Sequence, residues 1–166
     1  MNEGTGWQGQ FDIFIKSQEG DWEHERTIKN MVVDSGLNLL REALRGTVTD
    51  AEIKYIAVGT SSASVLTTNT QLGAEVFRKA VFSKSIVGTG AVQTIAILDD
   101  AEAVVNIQEI GVFAGSTASI TANSGIMISR ILYSRNKTNL ESVQIQRTDT
   151  ISVSYTHLTL PTKRIV

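Results

Sequence analysis

The fold class is decided by one stretch, Leu140-Glu141-Ser142-Val143-Gln144-Ile145-Gln146. In it, Val143 and Ile145 alternate with one serine and two glutamines. Successive side chains of a β-strand point to opposite faces of the sheet, so this alternation predicts a strand with one apolar and one polar face. Such a strand is typical of a sheet that covers a core on one side only.

Short segments of similar composition recur along most of the chain. They are rich in apolar and β-branched residues, and polar or glycine-containing stretches separate most of them. The predicted strands span residues 11–15, 27–33, 53–58, 75–86, 91–98, 104–114, 126–134 and 140–146. Turn residues at 18–21 and 88–90 predict two hairpins. With one predicted helix among so many strands, we expect an all-β fold, an antiparallel β-sandwich or an open barrel.

The single helix is predicted over residues 35–45. Asp34 or Ser35 can cap its first free N–H groups, and Gly46 can end it in the left-handed conformation. One face is apolar and consists of Leu37, Leu40, Ala43 and Leu44. The other face is charged and consists of Arg41, Glu42 and Arg45. So short a helix is unstable alone in water, so we expect the leucine face to pack on a sheet.

Length and composition suit one domain. The chain has 166 residues, a net charge of -2 and no cysteine, which excludes disulfides, thiolate metal sites and general attraction to nucleic acid. No apolar run approaches the ~20 residues of a membrane span, and the N-terminus lacks a signal-peptide pattern, so we expect synthesis in a cytoplasm. Residues 1–9 contain three glycines, so we predict that they form a flexible leader. We assign residues 10–152 to the β-rich domain.

The densest acidic cluster consists of Asp99, Asp100 and Glu102. Closely spaced carboxylates can hold Ca²⁺, but this spacing does not reproduce a calcium-binding loop. A solvated hairpin turn accounts for the same residues, and we favour that interpretation.

Glu109 lies within a predicted strand, where a carboxylate is costly to bury unless it is paired. It could be a general acid with a raised pKa. Arg78, Lys79 and Arg130 also lie in predicted strands, so we favour a structural ion pair across the sheet. His24 has no partner residues in a pattern for nucleophilic catalysis. We predict that it is an exposed residue of the first hairpin. No catalytic, cofactor or metal residue is therefore predicted.

Four short phrases follow one another in a fixed order. They are residues 30–37 (Asn-Met-Val-Val-Asp-Ser-Gly-Leu), 54–60 (Lys-Tyr-Ile-Ala-Val-Gly-Thr), 75–79 (Glu-Val-Phe-Arg-Lys) and 109–113 (Glu-Ile-Gly-Val-Phe). Through them the chain resembles a family of bacteriophage tail proteins, described as tail-fibre, tail-collar or baseplate-associated. The resemblance runs from about residue 10 to residue 150.

This resemblance implies a non-enzymatic structural component of the virion. It implies a location in the phage tail, assembly in the bacterial host cytoplasm, and contacts with other tail proteins. Because tails are built on threefold and sixfold symmetry, it also implies a homo-oligomer, with a trimer favoured. The long polar loops at residues 60–71 and 115–124 are the candidate contact surfaces.

The alternative function is a carbohydrate-binding module that recognises host surface glycans. Glycan sites typically expose aromatic platforms, and the candidates for such a platform are Trp7, Trp22 and Tyr133. This aromatic supply is thin, so the structural function is preferred.

The C-terminus has a separate resemblance. Residues 153–162 read Val-Ser-Tyr-Thr-His-Leu-Thr-Leu-Pro-Thr, which resembles one reading frame of a transposase sequencing adapter. We therefore interpret residues 153–166 as a non-native read-through tail. The alternative is a genuine edge strand, since apolar and polar residues alternate in its first part.

Overall fold

The computed structural model describes residues 4–154, which form nine strands and one helix. The strands are β1 (Gly4–Ser17), β2 (Glu23–Met31), β3 (Ile53–Gly59), β4 (Glu75–Ala80), β5 (Ser83–Gly88), β6 (Ala91–Leu98), β7 (Asn106–Ala114), β8 (Ile126–Asn136) and β9 (Glu141–Ser154), and the helix is α1 (Asp34–Leu44). A five-stranded sheet has the order β2-β1-β9-β6-β5, and a four-stranded sheet has the order β4-β3-β7-β8. All pairings are antiparallel.

The main core lies between the two sheets. The five-stranded sheet contributes Phe11 and Ile13 from β1 and Val143 and Ile145 from β9, all fully buried. The facing side chains come from β3, β7 and β8 of the four-stranded sheet. Each such side chain contributes about 1.5–3 kcal/mol through burial. The predicted all-β sandwich and the predicted apolar face of β9 are therefore confirmed.

The helix forms where the sequence predicts it, but a different face is buried. Gly36 and Leu39 are buried, whereas Leu37 is 46% exposed and Leu44 is 82% exposed. Leu40 is half-buried. The predicted leucine face is thus wrong at two of its three leucines.

The N-terminus of α1 differs from the prediction, and its C-terminus agrees with it. Val33 occupies the N-cap position without a side-chain cap, so the predicted capping by Asp34 or Ser35 is wrong. The Ser35 hydroxyl instead donates to the carbonyl of Met127 in β8. Gly46 adopts a φ of 77°, in the left-handed region that favours glycine.

Both terminal strands are longer than the sequence predicts. Residues 4–9, which the sequence assigns to a flexible leader, belong to β1. All six of them pair with residues 149–154 at the end of β9. Backbone hydrogen bonds to β9 hold this stretch although its side chains do not alternate. β9 extends to Ser154, so Val153 and Ser154 of the predicted non-native tail pair with Thr5 and Gly4. Residues 155–166 lie outside the described residues.

The predicted strand at residues 75–86 is two strands in different sheets. The amide of Val81 donates to the carbonyl of Lys54 in one sheet, and the next amide, of Phe82, donates to the carbonyl of Ile95 in the other. The chain therefore crosses between the sheets at this dipeptide. No helix within residues 4–154 is long and apolar enough to cross a membrane.

Candidate functional site

Two long loops, residues 60–74 and residues 115–125, fold over the outer face of the four-stranded sheet. A second buried cluster lies there and includes Leu72 from the first loop and Phe113 from β7. A Cβ atom on Gly111 would lie 2.7 Å from Leu72 Cδ2, so glycine at this position lets Leu72 pack closely against the strand. The loop therefore packs directly on the strand.

A buried ion pair anchors the first loop. Glu109 is 0% exposed and Arg130 is 3% exposed, and Arg130 Nε lies 2.7 Å from Glu109 Oε2. The same carboxylate accepts hydrogen bonds from the amides of Gly73 and Ala74, at 3.0 and 2.8 Å. Of the three cations considered from the sequence, Arg130 is the partner of Glu109.

The guanidinium of Arg130 also binds the loop. It donates to the carbonyls of Ala63 and Ser64, at 2.9 and 3.2 Å, and to the side-chain oxygen of Asn69, at 3.2 Å. Burial by itself would raise the pKa of Glu109, but the amides of Ala74 and Gly73 and the Arg130 guanidinium outweigh it, so the pKa lies below its usual value. A general acid needs the opposite shift.

A second buried pair anchors the loop at residues 115–125. Arg78 makes a two-point contact with Glu75, at 2.7 and 2.9 Å, and donates to the carbonyls of Ser119 and Ser124, at 2.9 and 3.0 Å. Its guanidinium lies 4.5 Å from the ring centre of Phe113, a distance favourable for a cation–π interaction. Leu72 of the first loop packs in one cluster with Phe113, and Arg78, which binds the second loop, lies over the same ring.

The acidic turn connects β6 to β7, which lie in different sheets, so the predicted hairpin is wrong here. Lysines bind this turn. Lys79 Nζ lies 2.6 Å from a Glu102 carboxylate oxygen. Lys137 is buried, and its ammonium donates to the carbonyls of Asp99 and Asp100, at 2.8 and 3.1 Å. Among residues 4–154, no group of three or more His, Cys, Asp or Glu side chains is placed to hold a metal ion.

The three aromatic candidates for a glycan platform do not lie together. Tyr133 is buried in the core between the sheets. Trp7 lies near one end of β1, and its indole N–H donates to Asp149 at 2.9 Å. Trp22 follows the other end of β1, where Lys16 Nζ lies 6.0 Å from its ring centre. His24 is exposed and contacts Asp12 and Thr27.

A third buried pair lies inside the sandwich and was not predicted. Arg147 is fully buried, contacts Asp149 Oδ1 at 2.8 Å, and donates to Ser129 Oγ at 2.6 Å and Asn30 Oδ1 at 3.0 Å. A Cβ atom on Gly9 would lie 2.1 Å from Arg147 Nη2, so glycine leaves room for the guanidinium. Arg147 and Asp149 continue the inward parity of Val143 and Ile145, which is the signal that could have placed them inside.

One side of the sandwich carries exposed apolar side chains. There the edge strands β4 and β5 lie together, because the chain passes directly from one to the other and β4 contacts β6. The exposed apolar residues of β4, β5, the dipeptide between them and the loop that borders β4 are here called the edge surface, and they are Val76, Phe82, Ile86, Val87 and Ile120. Ile86 is 88% exposed. The opposite edge strand, β2, is rich in charged residues, which protect an edge from unwanted pairing.

No protein-family model, curated protein or solved structure matches this chain.

Proposed function

We propose that the chain is a non-enzymatic structural component of a bacteriophage tail. In this proposal it is a tail-fibre, collar or baseplate module that assembles with copies of itself and contacts other tail proteins. The observation that carries the proposal is the position of the four phrases through which the chain resembles tail proteins. They lie at the start of α1 and in β3, β4 and β7, around the two anchored loops.

The phrases contain residues that fix the loops. Residues 75–79 include both members of the Glu75–Arg78 pair. Residues 109–113 include Glu109, which anchors the first loop, and Gly111 and Phe113, on which that loop packs. A role in holding two surface loops in fixed positions suits a module whose function is to present surfaces to neighbours.

The edge surface supports self-assembly. Edge strands carry unpaired backbone N–H and C=O groups, and β5 combines them with exposed apolar side chains. Burial of these side chains against a second copy would remove them from water. Ile120 of the loop at residues 115–125 lines one groove with Val76 of β4, so this loop and the β4 edge can contribute to one contact.

The oligomeric state gives the first test. We expect the protein at micromolar concentration to sediment as a trimer, with three times the chain mass of 18.0 kDa. Ile86→Lys should shift it towards monomer, because a charge in an apolar contact is costly to desolvate. Sedimentation velocity on both proteins measures this shift.

Leu140→Lys is the matched control. Leu140 is also exposed, but it lies outside the edge surface, so this variant should remain a trimer. A stable wild-type monomer would contradict self-assembly and favour the glycan-binding alternative, which a glycan array would then test. Equal dissociation of both variants would contradict the assignment of the contact to the edge surface.

A further inference from the structure

A cleft of about 300 Å³ opens at the end of the sandwich where α1 covers the sheets. Its lining is mainly apolar and includes Trp7, Leu39, Leu40, Ile53, Val92 and Ile151. Its volume is at the lower end of the range for small-molecule sites.

Two buried polar atoms in the lining have no hydrogen-bond partner: Thr94 Oγ1 and Asp149 Oδ2. Thr94 is 0% exposed and Asp149 is 4% exposed, and both residues line the cleft. Buried polar groups are nearly always hydrogen-bonded, and an unsatisfied one destabilises the fold. The apolar cleft therefore contains a polar spot that lacks a partner.

The two atoms belong to neighbouring residues on one face of the five-stranded sheet. In the pairing of β6 with β9, Thr94 lies opposite Arg147 and Asp149 lies opposite Val92, so Thr94 and Asp149 are diagonal neighbours on the inward face. Such neighbours have Cα atoms about 7–8 Å apart. A ligand hydroxyl between them would donate to one side-chain oxygen and accept from the other, at the usual O–H···O distance of about 2.7–2.8 Å.

The charges around the cleft are already balanced. Asp149 is paired with Arg147, and Glu52 is paired with Lys84. A cationic ligand would therefore add a buried charge without a partner, which is costly. A neutral ligand avoids this cost.

We propose that this cleft binds a small neutral alcohol or phenol whose apolar body packs against Trp7 and the leucines of α1. Its hydroxyl donates to Asp149 Oδ2 and accepts from Thr94 Oγ1. This ligand site goes beyond the proposed structural function, since neither self-assembly nor tail contacts require it.

Titration of the full chain with phenol and with toluene tests the site. Calorimetry should give saturable binding for both, with phenol at least about fivefold tighter, because only phenol satisfies the two polar atoms. Amide resonances of Val92 and Ile151 should shift on binding. Equal affinities, or the absence of saturable binding, would overturn the proposal, as would bound water that persists at both atoms in saturating phenol.

Three variants locate the effect. Thr94→Val keeps the shape but removes the hydroxyl, so it should reduce the preference for phenol to about twofold or less. Thr68→Val removes an exposed hydroxyl in the loop at residues 60–74 and should leave the preference unchanged. Leu40→Phe should fill the cleft and abolish binding of both probes. Unchanged phenol binding by both Thr94→Val and Leu40→Phe would contradict the assigned site.

Discussion

Replacement of Arg130 by alanine should destabilise the fold by about 3–5 kcal/mol. The change leaves Glu109 buried without its charged partner and frees the loop carbonyls that Arg130 binds. Chemical denaturation measures the loss in stability. Amide hydrogen exchange of residues 60–74 should also accelerate, because the loop loses its hydrogen bonds to Arg130 and its contact with Glu109 is weakened.

Two further variants separate the loss of the buried ion pair from the simple loss of an arginine side chain. Arg41→Ala removes an exposed arginine on α1 and should cost less than about 0.5 kcal/mol. Adding Glu109→Gln to Arg130→Ala should recover part of the loss, because an amide is less costly to bury without a charged partner than a carboxylate. Equal stability of Arg130→Ala and Arg41→Ala would show that the buried pair does not anchor the loop.

Leu39→Ala should cost about 2–5 kcal/mol, because it empties a core site between α1 and the sheets. Leu37→Ala, on the same helix, should cost less than about 0.5 kcal/mol, since Leu37 is largely in water. The two substitutions remove the same atoms from the same helix. Their midpoints of chemical denaturation therefore compare burial alone. A larger shift for Leu37→Ala would restore the face that the leucine pattern predicts.

The choice of helix face could not be made from periodicity. Both the stripe through Leu37, Leu40 and Leu44 and the stripe through Gly36, Leu39 and Leu40 have helical spacing. The packing decides between them, because a Cβ atom on Gly36 would lie 3.0 Å from the Cα of Ile128. Glycine lets the helix approach β8 closely, and this approach turns Leu37 outward.

Strands with clear alternation or an apolar run could be predicted from the sequence. Strand segments that only their hydrogen-bonded neighbours define could not. The limits of β6 match the predicted residues 91–98, and residues 143 and 145 face the core as predicted. The first residues of β1 have no alternation, so only their hydrogen bonds to β9 define them. The split between β4 and β5 likewise depends on which sheet each residue joins.

The partners of the buried charges could likewise not be predicted from the sequence alone. The sequence indicated that Glu109 needs a cation, but the choice of Arg130 over Arg78 and Lys79 depends on the register of β7 and β8 and on the outer loops. Arg147 and Asp149 follow the predicted part of β9, and their charge suggests a surface position. Their burial is possible because Gly9 leaves room and each neutralises the other.

The most direct test of the tail proposal is the protein composition of purified particles of a phage that carries this reading frame. Quantitative mass spectrometry should detect peptides from residues 10–152 in the particles, with a copy number per tail that is a multiple of three. Abundant protein in the infected cell together with its absence from purified particles would contradict the proposal.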